Sequence, residues 1–223
     1  MTSDQDHTFN PGDLFQDRYH IENLLGSGGF GEVYKAKQLS TGQHVAVKVI
    51  RSPFGFGLKG TETGTRNTRF LREMKLCAQL HHPNIVRLLD SGETEEGKLY
   101  SVFAFVPGHD LRFVIKKEGK LQPTEAGYLM AQVLDALAAA HNQGVVHRDL
   151  KPANIMVATT GARRNATVLD FGIGAFVEHK SDEELKRITG TGQMIGTPSY
   201  APPEQLLGVE QGLLEAGLLG QGP

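Results

Sequence analysis

The chain has 223 residues, which is enough for one large or two small domains with a buried core. The hydrophobic fraction of 39% is somewhat below the average for soluble globular proteins, and the charged fraction of 22% is close to it. The formal net charge of −2 gives no electrostatic basis for nucleic acid or an anionic membrane as the main partner. The single cysteine, Cys77, excludes an internal disulfide and fits a reducing compartment.

The beginning of the chain is polar and acidic, so it does not resemble a secretory signal. No apolar run approaches the roughly 20 residues that a membrane-spanning helix needs. We therefore expect a cytoplasmic protein with no membrane segment in this chain. Residues 1–14 are predicted to be a disordered leader.

A glycine-rich stretch, L-G-S-G-G-F-G-E-V-Y-K, occupies residues 25–35. Gly26, Gly28 and Gly31 match the spacing G-x-G-x-x-G, which unrelated folds use to hold phosphate. A dinucleotide-binding fold needs a helix after these glycines, but residues 33–37 are rich in strand formers. The Gly-Lys-Ser/Thr ending of a Walker-type loop is also absent. The pattern therefore predicts a β-hairpin whose glycine tip covers a phosphate.

The rest of the first half continues as strands with one helix. Residues 44–50 form a third strand, and residues 68–80 a helix with Phe70, Glu73 and Cys77 on one face. A carboxylate between two apolar residues on an inward face needs a cationic partner. Two further strands flank a turn at residues 92–97. This half is predicted to be a five-stranded sheet with one helix.

The periodicity changes near residues 106–109, where we place a boundary between two parts of the chain. Asp110 is predicted to cap a short helix that ends at Lys116 and Lys117. Thr124 is predicted to cap a longer helix over residues 125–143, closed by Gly144. Short strands and polar turns follow. The chain contains no internal repeat.

Three motifs in the second half then identify a resemblance: His147-Arg148-Asp149, Lys151 with Asn154, and Asp170-Phe171-Gly172. Together with Val45-Ala46-Val47-Lys48 and the glycine stretch, they follow the order of the protein-kinase signature set. Over about residues 15–207 the chain resembles a eukaryote-like serine/threonine protein kinase of the bacterial type.

The resemblance implies an α+β, two-lobed, protein-kinase-like fold. Residues 15–106 would form the ATP-binding N-lobe, a five-stranded antiparallel sheet plus one helix. Residues 107–207 would form a mainly helical, incomplete C-lobe with the catalytic loop and the activation segment.

Four residues would carry the catalysis. Asp149 would be the catalytic base, and Lys151 would contact the γ-phosphate. Lys48 would contact the α- and β-phosphates, and Glu73 would pair with it. The alternative for Glu73 is an ordinary exposed charge on a helix. Its apolar neighbours favour the pairing role.

The resemblance also implies ATP and Mg²⁺ as cofactors. Asn154 and Asp170 would hold magnesium, because both offer the hard oxygen ligands that this ion prefers. Phe103 would close the back of the adenine pocket. The nucleotide-binding residues would be Leu25, Gly26, Ser27, Gly28, Gly29, Phe30, Gly31, Val33, Ala46, Lys48, Ala104, Val106 and Met156.

The activation segment would run over residues 170–204. Arg148 would contribute to a cationic pocket for a phosphate on this segment, and Thr189 and Thr191 are the expected autophosphorylation sites. The alternative is that both are ordinary loop threonines. Thr197 resembles the threonine that contacts the catalytic Asp and Lys in Ser/Thr kinases.

The resemblance stops after Leu207, and residues 208–223 form an atypical tail rich in glycine and leucine. We expect a truncated gene, a frameshifted tail or an incomplete chain. A stack of side chains through Cys77, Leu88, Phe171 and His147 would then lack its anchor in the C-lobe. The helix over 125–143 would expose apolar surface, which favours self-association.

The sequence as a whole predicts an ATP-dependent enzyme that phosphorylates Ser/Thr hydroxyls of protein substrates and itself. The alternative is a truncated, catalytically impaired nucleotide-binding fragment or a pseudokinase-like interaction protein. Nucleic-acid binding would depend on Arg163 and Arg164 alone, and two charges do not support it.

Overall fold

The structure is a computed structural model that describes residues 7–28, 31–50, 61–161, 163–171 and 200. These residues form a six-stranded sheet with one helix, followed by two helices and a three-stranded sheet. Within them, no helix combines the length and the apolar character that crossing a membrane requires.

The larger sheet is antiparallel throughout, with its strands in the order β1-β2-β3-β4-β6-β5. It contains the five predicted strands and one additional edge strand of two residues. The strands are β1 (Leu14–Phe15), β2 (Tyr19–Gly28), β3 (Gly31–Gln38), β4 (His44–Ile50), β5 (Leu88–Glu93) and β6 (Leu99–Ala104).

The two faces of this sheet bury different sets of side chains. On β4, Val45, Val47 and Val49 belong to an outer cluster that also contains aromatic residues. Because side chains alternate along a strand, Ala46 and Lys48 point to the opposite face. That face packs against the helix and continues into the core of the second half. Lys48 therefore lies on the side of the sheet that faces the rest of the molecule.

The helix of the first half, α1, spans Thr61–Cys77, whereas the sequence predicts residues 68–80. Phe70, Met74 and Cys77 are buried against the sheet, and they recur at the spacing of one helical face. The predicted inward face is confirmed, although the helix begins and ends earlier than expected. Its apolar stripe fixes which side of α1 faces β5 and β6.

The second half contains α2 (Leu111–Glu118) and α3 (Pro123–His141). Asp110 caps α2 as predicted, since its side chain accepts a hydrogen bond from the Phe113 amide at 2.8 Å. The prediction that Thr124 caps α3 is wrong. Gln122 is the N-cap, and Pro123 follows it. Proline suits the first helical position, because the backbone N–H that it lacks would have no hydrogen-bond partner within the helix.

A small sheet follows α3 and carries the motifs of the second half. A 3-10 helix, Pro152–Asn154, leads into β8 (Ile155–Thr160), which pairs with β9 (Arg163–Val168). The two-residue strand β7 (His109–Asp110) completes this sheet. The end of β9 is thereby held beside the segment that precedes β8.

The loop after α1 links the two halves of the chain by hydrogen bonds. The Val86 amide donates to Val168 O at 2.9 Å, and the Val168 amide donates to Asn84 O at 2.8 Å. The Asn84 side chain also donates to Gln132 Oε1 on α3 and to Ala166 O on β9. These bonds fix the end of β9, and the residues that follow it, relative to the first half of the chain.

The prediction of a disordered leader over residues 1–14 is wrong from residue 7 onward. The Thr8 amide donates to Glu32 Oε2 at 2.9 Å, and His7 Nδ1 lies 3.0 Å from Glu32 Oε1. The Phe9 ring packs against Phe15 and Tyr34 at centroid distances of 5.1 and 5.5 Å. These ring contacts and a buried carboxylate order the segment, which sequence polarity alone does not reveal.

The Asp110 cap leads to a prediction about stability. Asp110→Ala should lower the free energy of unfolding by about 1 kcal/mol, because the Phe113 amide loses its side-chain acceptor. Asp110→Asn should stay close to the parent, since asparagine caps helices equally well. Urea denaturation of the three proteins measures this. Equal midpoints for the alanine variant and the parent would contradict it.

Glu32 leads to a prediction about acid stability. Burial alone would raise the pKa of this carboxyl group, but hydrogen bonds from Thr8, Tyr34 and His7 outweigh it and lower the pKa to about 2. Because folding lowers the pKa from 4.5, the stabilisation is complete above pH 4.5 and is lost as the pH falls toward 2. The shift corresponds to roughly 3 kcal/mol.

Glu32→Gln should therefore flatten the pH dependence of stability over this acidic range. Urea midpoints measured at several pH values between about 6 and 3 check the effect. Glu95→Gln is the matched control, because Glu95 lies exposed in a turn. If Glu32→Gln and the parent lose stability in parallel, the assignment of this carboxyl group is wrong.

Candidate functional site

His147 anchors the loop that follows α3. Its side chain is 2% exposed, Nε2 lies 2.7 Å from Leu169 O, and the Asp149 amide donates to Nδ1 at 3.3 Å. These partners require a proton on Nε2 and none on Nδ1. Burial lowers the pKa of His147, which favours this neutral form. The histidine is thus a structural link between this loop and the end of β9.

Asp149 lies at the centre of the loop with its carboxylate held on two sides. Lys151 Nζ lies 3.0 Å from Oδ1 and 2.7 Å from Oδ2. Asn154 Nδ2 donates to Asp149 O at 2.8 Å and to Oδ2 at 3.1 Å. The side chain remains one third exposed, at 33%. The structure therefore brings together three predicted site residues around a carboxylate that solvent can still reach.

Asn154 also connects this loop to the segment after β9. Its backbone amide donates to Lys151 O, and its carbonyl accepts from the Leu169 amide, both at 2.9 Å. Asp170, which follows Leu169 in the sequence, is thereby held close to the loop. Sequence reasoning did not identify Leu169, because an apolar residue next to a motif carries no signal for a backbone role.

Asp170 pairs with Lys48 across the two halves of the chain. The distance from Lys48 Nζ to Asp170 Oδ2 is 2.9 Å. The lysine side chain is 10% exposed and the aspartate 32% exposed, so the pair lies at the edge of the buried core. A cation and a carboxylate at this distance stabilise each other more strongly than they would in water.

Two residues of the site have left-handed backbone conformations. The φ angles are 63° at Arg148 and 59° at Asp170. Residues with a Cβ adopt this region rarely, and they do so where surrounding contacts hold them. Here the contacts are the bonds of Leu169 to His147 and Asn154. The left-handed turns occur directly before Asp149 and at Asp170 itself.

Glu73 was predicted to pair with Lys48, and that pair is not formed in this structure. Among the described residues, the carboxylate within ion-pair distance of Lys48 is that of Asp170. Glu73 is half-buried on α1 near Cys77. The pKa of the Cys77 thiol is raised to about 12 by burial and further by the charges of Glu73 and Asp170. Glu73 therefore lies near this region, and its role stays a prediction.

Three members of the predicted stack, Cys77, Phe171 and His147, are in contact with one another. Cys77 Sγ donates to Phe171 O at 3.1 Å, and the rings of Phe171 and His147 lie 4.8 Å apart. Leu88 packs against the same buried cluster. The stack joins α1, the segment after β9 and the loop of Asp149, so a displacement of α1 would be transmitted to the site.

The glycine hairpin joins β2 and β3, with Gly28 paired to Gly31. A Cβ added at Gly26 or Gly28 would meet no atom of the described residues within 4 Å, so that part of the structure leaves the space beside these glycines open. Leu25 and Ser27 on the same strand are exposed. Gly29 and Phe30 lie outside the described residues. The structure thus confirms a hairpin of two strands where the glycine spacing alone is ambiguous.

The strand register places Val33, Ala46 and Phe103, which the sequence assigns to an adenine pocket, on the face of the sheet that carries Lys48. Val33 is paired with Lys48, and Ala46 is paired with Phe103, so these side chains lie on one face of the sheet. Phe103 is buried at 7% exposure. The remaining predicted pocket residues are half-buried: Ala104, Val106 and Met156. The Ala104 amide already donates to Arg87 O at 2.9 Å. Adenine recognition by these residues stays a prediction.

Asn154 and Asp170 are the predicted metal ligands. Among the described residues, no three His, Cys, Asp or Glu side chains cluster as a complete metal site. A magnesium ion usually takes one or two protein ligands and completes its shell with phosphate and water. The oxygens of Asp170 and Asn154 suit that chemistry, and the Leu169 amide links the two residues. The donor set therefore fits a divalent cation held jointly with a nucleotide.

The predicted phosphorylation sites cannot be placed, because residues 172–199 and 201–223 lie outside the described residues. This concerns Gly172, Thr189, Thr191 and Thr197, as well as the tail after Leu207. Arg148 is described and is half-buried beside the Asp149 loop.

Comparison with known proteins identifies the family. The model of the family described as "Protein kinase domain" matches residues 19–215. The serine/threonine-protein kinase pkn3 of Myxococcus xanthus is 40% identical over 195 residues, covering 86% of this chain and 34% of the relative. The serine/threonine-protein kinase PknB of Mycobacterium tuberculosis is 38% identical over 195 residues, covering 86% of this chain and 29% of the relative.

Solved structures agree. The kinase domain of Mycobacterium tuberculosis PknI, in a double-mutant form, has a TM-score of 0.67 at 26% identity. That match covers 91% of this chain and 71% of the PknI chain. A second PknI kinase-domain structure gives a TM-score of 0.61 at 29% identity, covering 74% and 62%. The chain spans about a third of the length of the curated relatives named above. It belongs to the protein kinase domain family, among the bacterial serine/threonine kinases.

Proposed function

We propose that this chain is an ATP-dependent protein kinase that transfers the γ-phosphate of ATP to Ser and Thr hydroxyls, with Mg²⁺ as its divalent ion. The observation that carries the proposal is the connected arrangement of Asp149, Lys151 and Asn154 with Asp170 and Lys48. Family membership supports it, since the named relatives are serine/threonine kinases. Phosphoryl transfer depends on alignment and on positive charge near phosphate oxygens.

Asp149 would act on the substrate hydroxyl. Its carboxylate is 33% exposed, yet Lys151 and Asn154 fix its direction. A carboxylate held in this way can accept the hydroxyl proton, or orient the hydroxyl, without first reorganising. Lys151 contributes a cation within 3 Å of that carboxylate, where it can also neutralise a phosphate. These two residues would therefore define the transfer point.

Lys48 and Asp170 would hold the nucleotide side of the site. Lys48 supplies a nearly buried cation, and Asp170 a carboxylate that can bind a divalent ion. The nucleotide would supply the phosphoryl group. The ion would neutralise the charge on its phosphates. In the present structure the lysine and the aspartate neutralise each other, which keeps both charges stable in a half-buried place.

The rival proposal is a fragment that binds nucleotide without turnover. Autophosphorylation at Thr189 or Thr191, magnesium as the specific ion, the cytoplasmic location and self-association also stay predictions. Large apolar side chains on α3 are exposed, namely Tyr128, Met130 and Leu134, and this supports self-association.

Asp149→Asn tests the central role. The substitution keeps the size of the side chain but removes the proton acceptor, so transfer should fall by about 10²–10⁴-fold. Nucleotide affinity should stay within about twofold, because Asp149 is not placed on the nucleotide. The measurement is incorporation of labelled γ-phosphate from Mg-ATP into the chain and into a generic Ser/Thr substrate, with a parallel nucleotide titration.

Asp135→Asn is the matched control, because Asp135 lies on α3 with its side chain 75% exposed. It should be as active as the parent. Phosphate incorporated by the parent is expected at Thr189 or Thr191, which peptide mapping would show. Nucleotide binding by the parent without any transfer would favour the binding fragment. Full transfer by Asp149→Asn would exclude this residue as the base.

Asp170→Asn tests the metal ligand. The substitution removes the ionic partner of Lys48 and weakens a hard anionic ligand, so the magnesium concentration needed for half-maximal transfer should rise about tenfold or more. Asp90→Asn, at a carboxylate paired with Arg18, should leave that requirement unchanged. A magnesium titration of transfer and of nucleotide affinity measures both. An unchanged requirement in Asp170→Asn would contradict the assignment.

A further inference from the structure

Glu32 is a buried carboxylate beside the glycine hairpin. It follows Gly31 directly, and its side chain is 2% exposed. Charged groups are stable in such a place when hydrogen bonds replace the lost water. The groups that donate hydrogen bonds to this carboxylate therefore stabilise this part of the hairpin.

Two of these donors come from a short segment far away in sequence, residues 7–10, which we call the N-terminal arm. The Thr8 amide donates to Oε2 at 2.9 Å, and His7 Nδ1 lies 3.0 Å from Oε1. The Tyr34 hydroxyl donates to Oε2 at 2.7 Å from within the hairpin itself. The arm thus supplies part of the polar environment that lets Glu32 remain buried and charged.

Apolar contacts hold the arm in this position. The Phe9 ring lies 5.5 Å from the Tyr34 ring in an edge-on arrangement and 5.1 Å from the Phe15 ring. The Phe9 amide donates to the Tyr34 hydroxyl at 3.2 Å. Tyr34 therefore receives a hydrogen bond from the arm and donates one to Glu32. The arm, Tyr34 and Glu32 form one connected unit.

This unit lies on the outer face of the sheet, away from the predicted nucleotide. Tyr34 and Ala36 belong to the outer cluster, and Glu32 shares their face because it is two residues from Tyr34. Val33, in between, pairs with Lys48 and faces the opposite side. Glu32 cannot touch a nucleotide from this face. Any effect it has on the site must act through the backbone of the hairpin.

Backbone pairing holds the described part of the hairpin near its tip, since Gly31 is paired with Gly28 on β2 and with Ile50 on β4. Glu32 pairs with Ser27 on β2 and with Val49 on β4, one step from the Gly28–Gly31 pair. Gly26 and Gly28 have no side chains, and no atom in the described part of the chain would lie within 4 Å of a Cβ added to either. The position of their backbone amides therefore depends on neighbouring residues whose side chains are fixed by hydrogen bonds or packing. Glu32 is the buried polar residue of the described sheet that lies next to this tip.

The arm lies before residues 19–215, which the family model matches. We propose that the N-terminal arm braces the glycine hairpin through Glu32, and that Glu32 is a positioning residue for nucleotide binding. The inference rests on the proposed function only in taking the ligand to be ATP. With the arm in place, the hairpin amides are held for phosphate. Without it, they lose order and nucleotide affinity falls.

Two variants of the 223-residue chain test this proposal from opposite sides of the contact between the arm and the hairpin. Glu32→Gln changes the hairpin side, and Phe9→Ala changes the arm side. Each should weaken ATP binding about fivefold, the effect of losing one typical hydrogen bond or a comparable contact. The KM for ATP should rise to the same extent, with kcat within about twofold of the parent. The double variant should be no weaker than the stronger single variant, because both act on one unit.

Glu22→Gln is the matched control. Glu22 lies on β2 of the same sheet and pairs with Lys35 and His44, away from the hairpin tip. It should leave the affinity for ATP unchanged. Hydrogen exchange of the amides in residues 26–28 and 31 gives a second readout, and it should quicken in Glu32→Gln and Phe9→Ala but not in Glu22→Gln.

The measurements distinguish a failure of this proposal from a failure of the proposed function. Binding titration and hydrogen exchange do not require turnover, so they test the brace even if no phosphate is transferred. If both variants lose stability while ATP affinity and exchange at residues 26–28 and 31 match the parent, the arm is only a packing element and the proposal fails. If Glu32→Gln does not fold, the result for Phe9→Ala decides by the same criteria.

Discussion

The site depends on the backbone of one apolar residue, Leu169. Its amide donates to Asn154 O at 2.9 Å, and its carbonyl accepts from His147 at 2.7 Å. Because both of its polar groups are bonded to the loop of Asp149, the next residue, Asp170, has little freedom. The left-handed backbone at Asp170 is stable for the same reason. These two bonds hold the proposed proton acceptor, Asp149, and the proposed metal ligand, Asp170, in one unit.

The first half of the chain is attached to this unit by charge and by backbone pairing. Lys48 reaches Asp170 across the gap between the halves, and the loop after α1 pairs with the end of β9 through Val86 and Val168. The stack of Cys77, Phe171 and His147 adds an apolar connection from α1. A displacement of α1 or of β4 would therefore change the geometry around Asp170. On the opposite face of the sheet, the N-terminal arm and Glu32 stabilise the glycine hairpin without touching the site.

Much of the fold follows from local sequence patterns. Alternation along β4 predicts that Lys48 shares a face with Ala46, and the cap at Asp110 predicts where α2 begins. The residues around Asp149 were identified by motif, and the structure brings Asp149, Lys151 and Asn154 together. Helix ends were less accurate. Proline at the first helical position, rather than Thr124, sets the start of α3, because a local steric preference outweighed a capping preference.

By itself the sequence determined the family, the strands of the hairpin and the identity of the residues around Asp149, because each depends on residue type and close spacing. Tertiary structure alone decided the partners of charged groups that are distant in sequence. Lys48 pairs with Asp170 rather than with Glu73, and Glu32 is buried by residues 7–10 instead of facing water. The physical reason is that the sequence gives the sign of each charged side chain but not the groups that lie beside it in space. Those neighbours are fixed only when the strands, α1 and the N-terminal arm pack together.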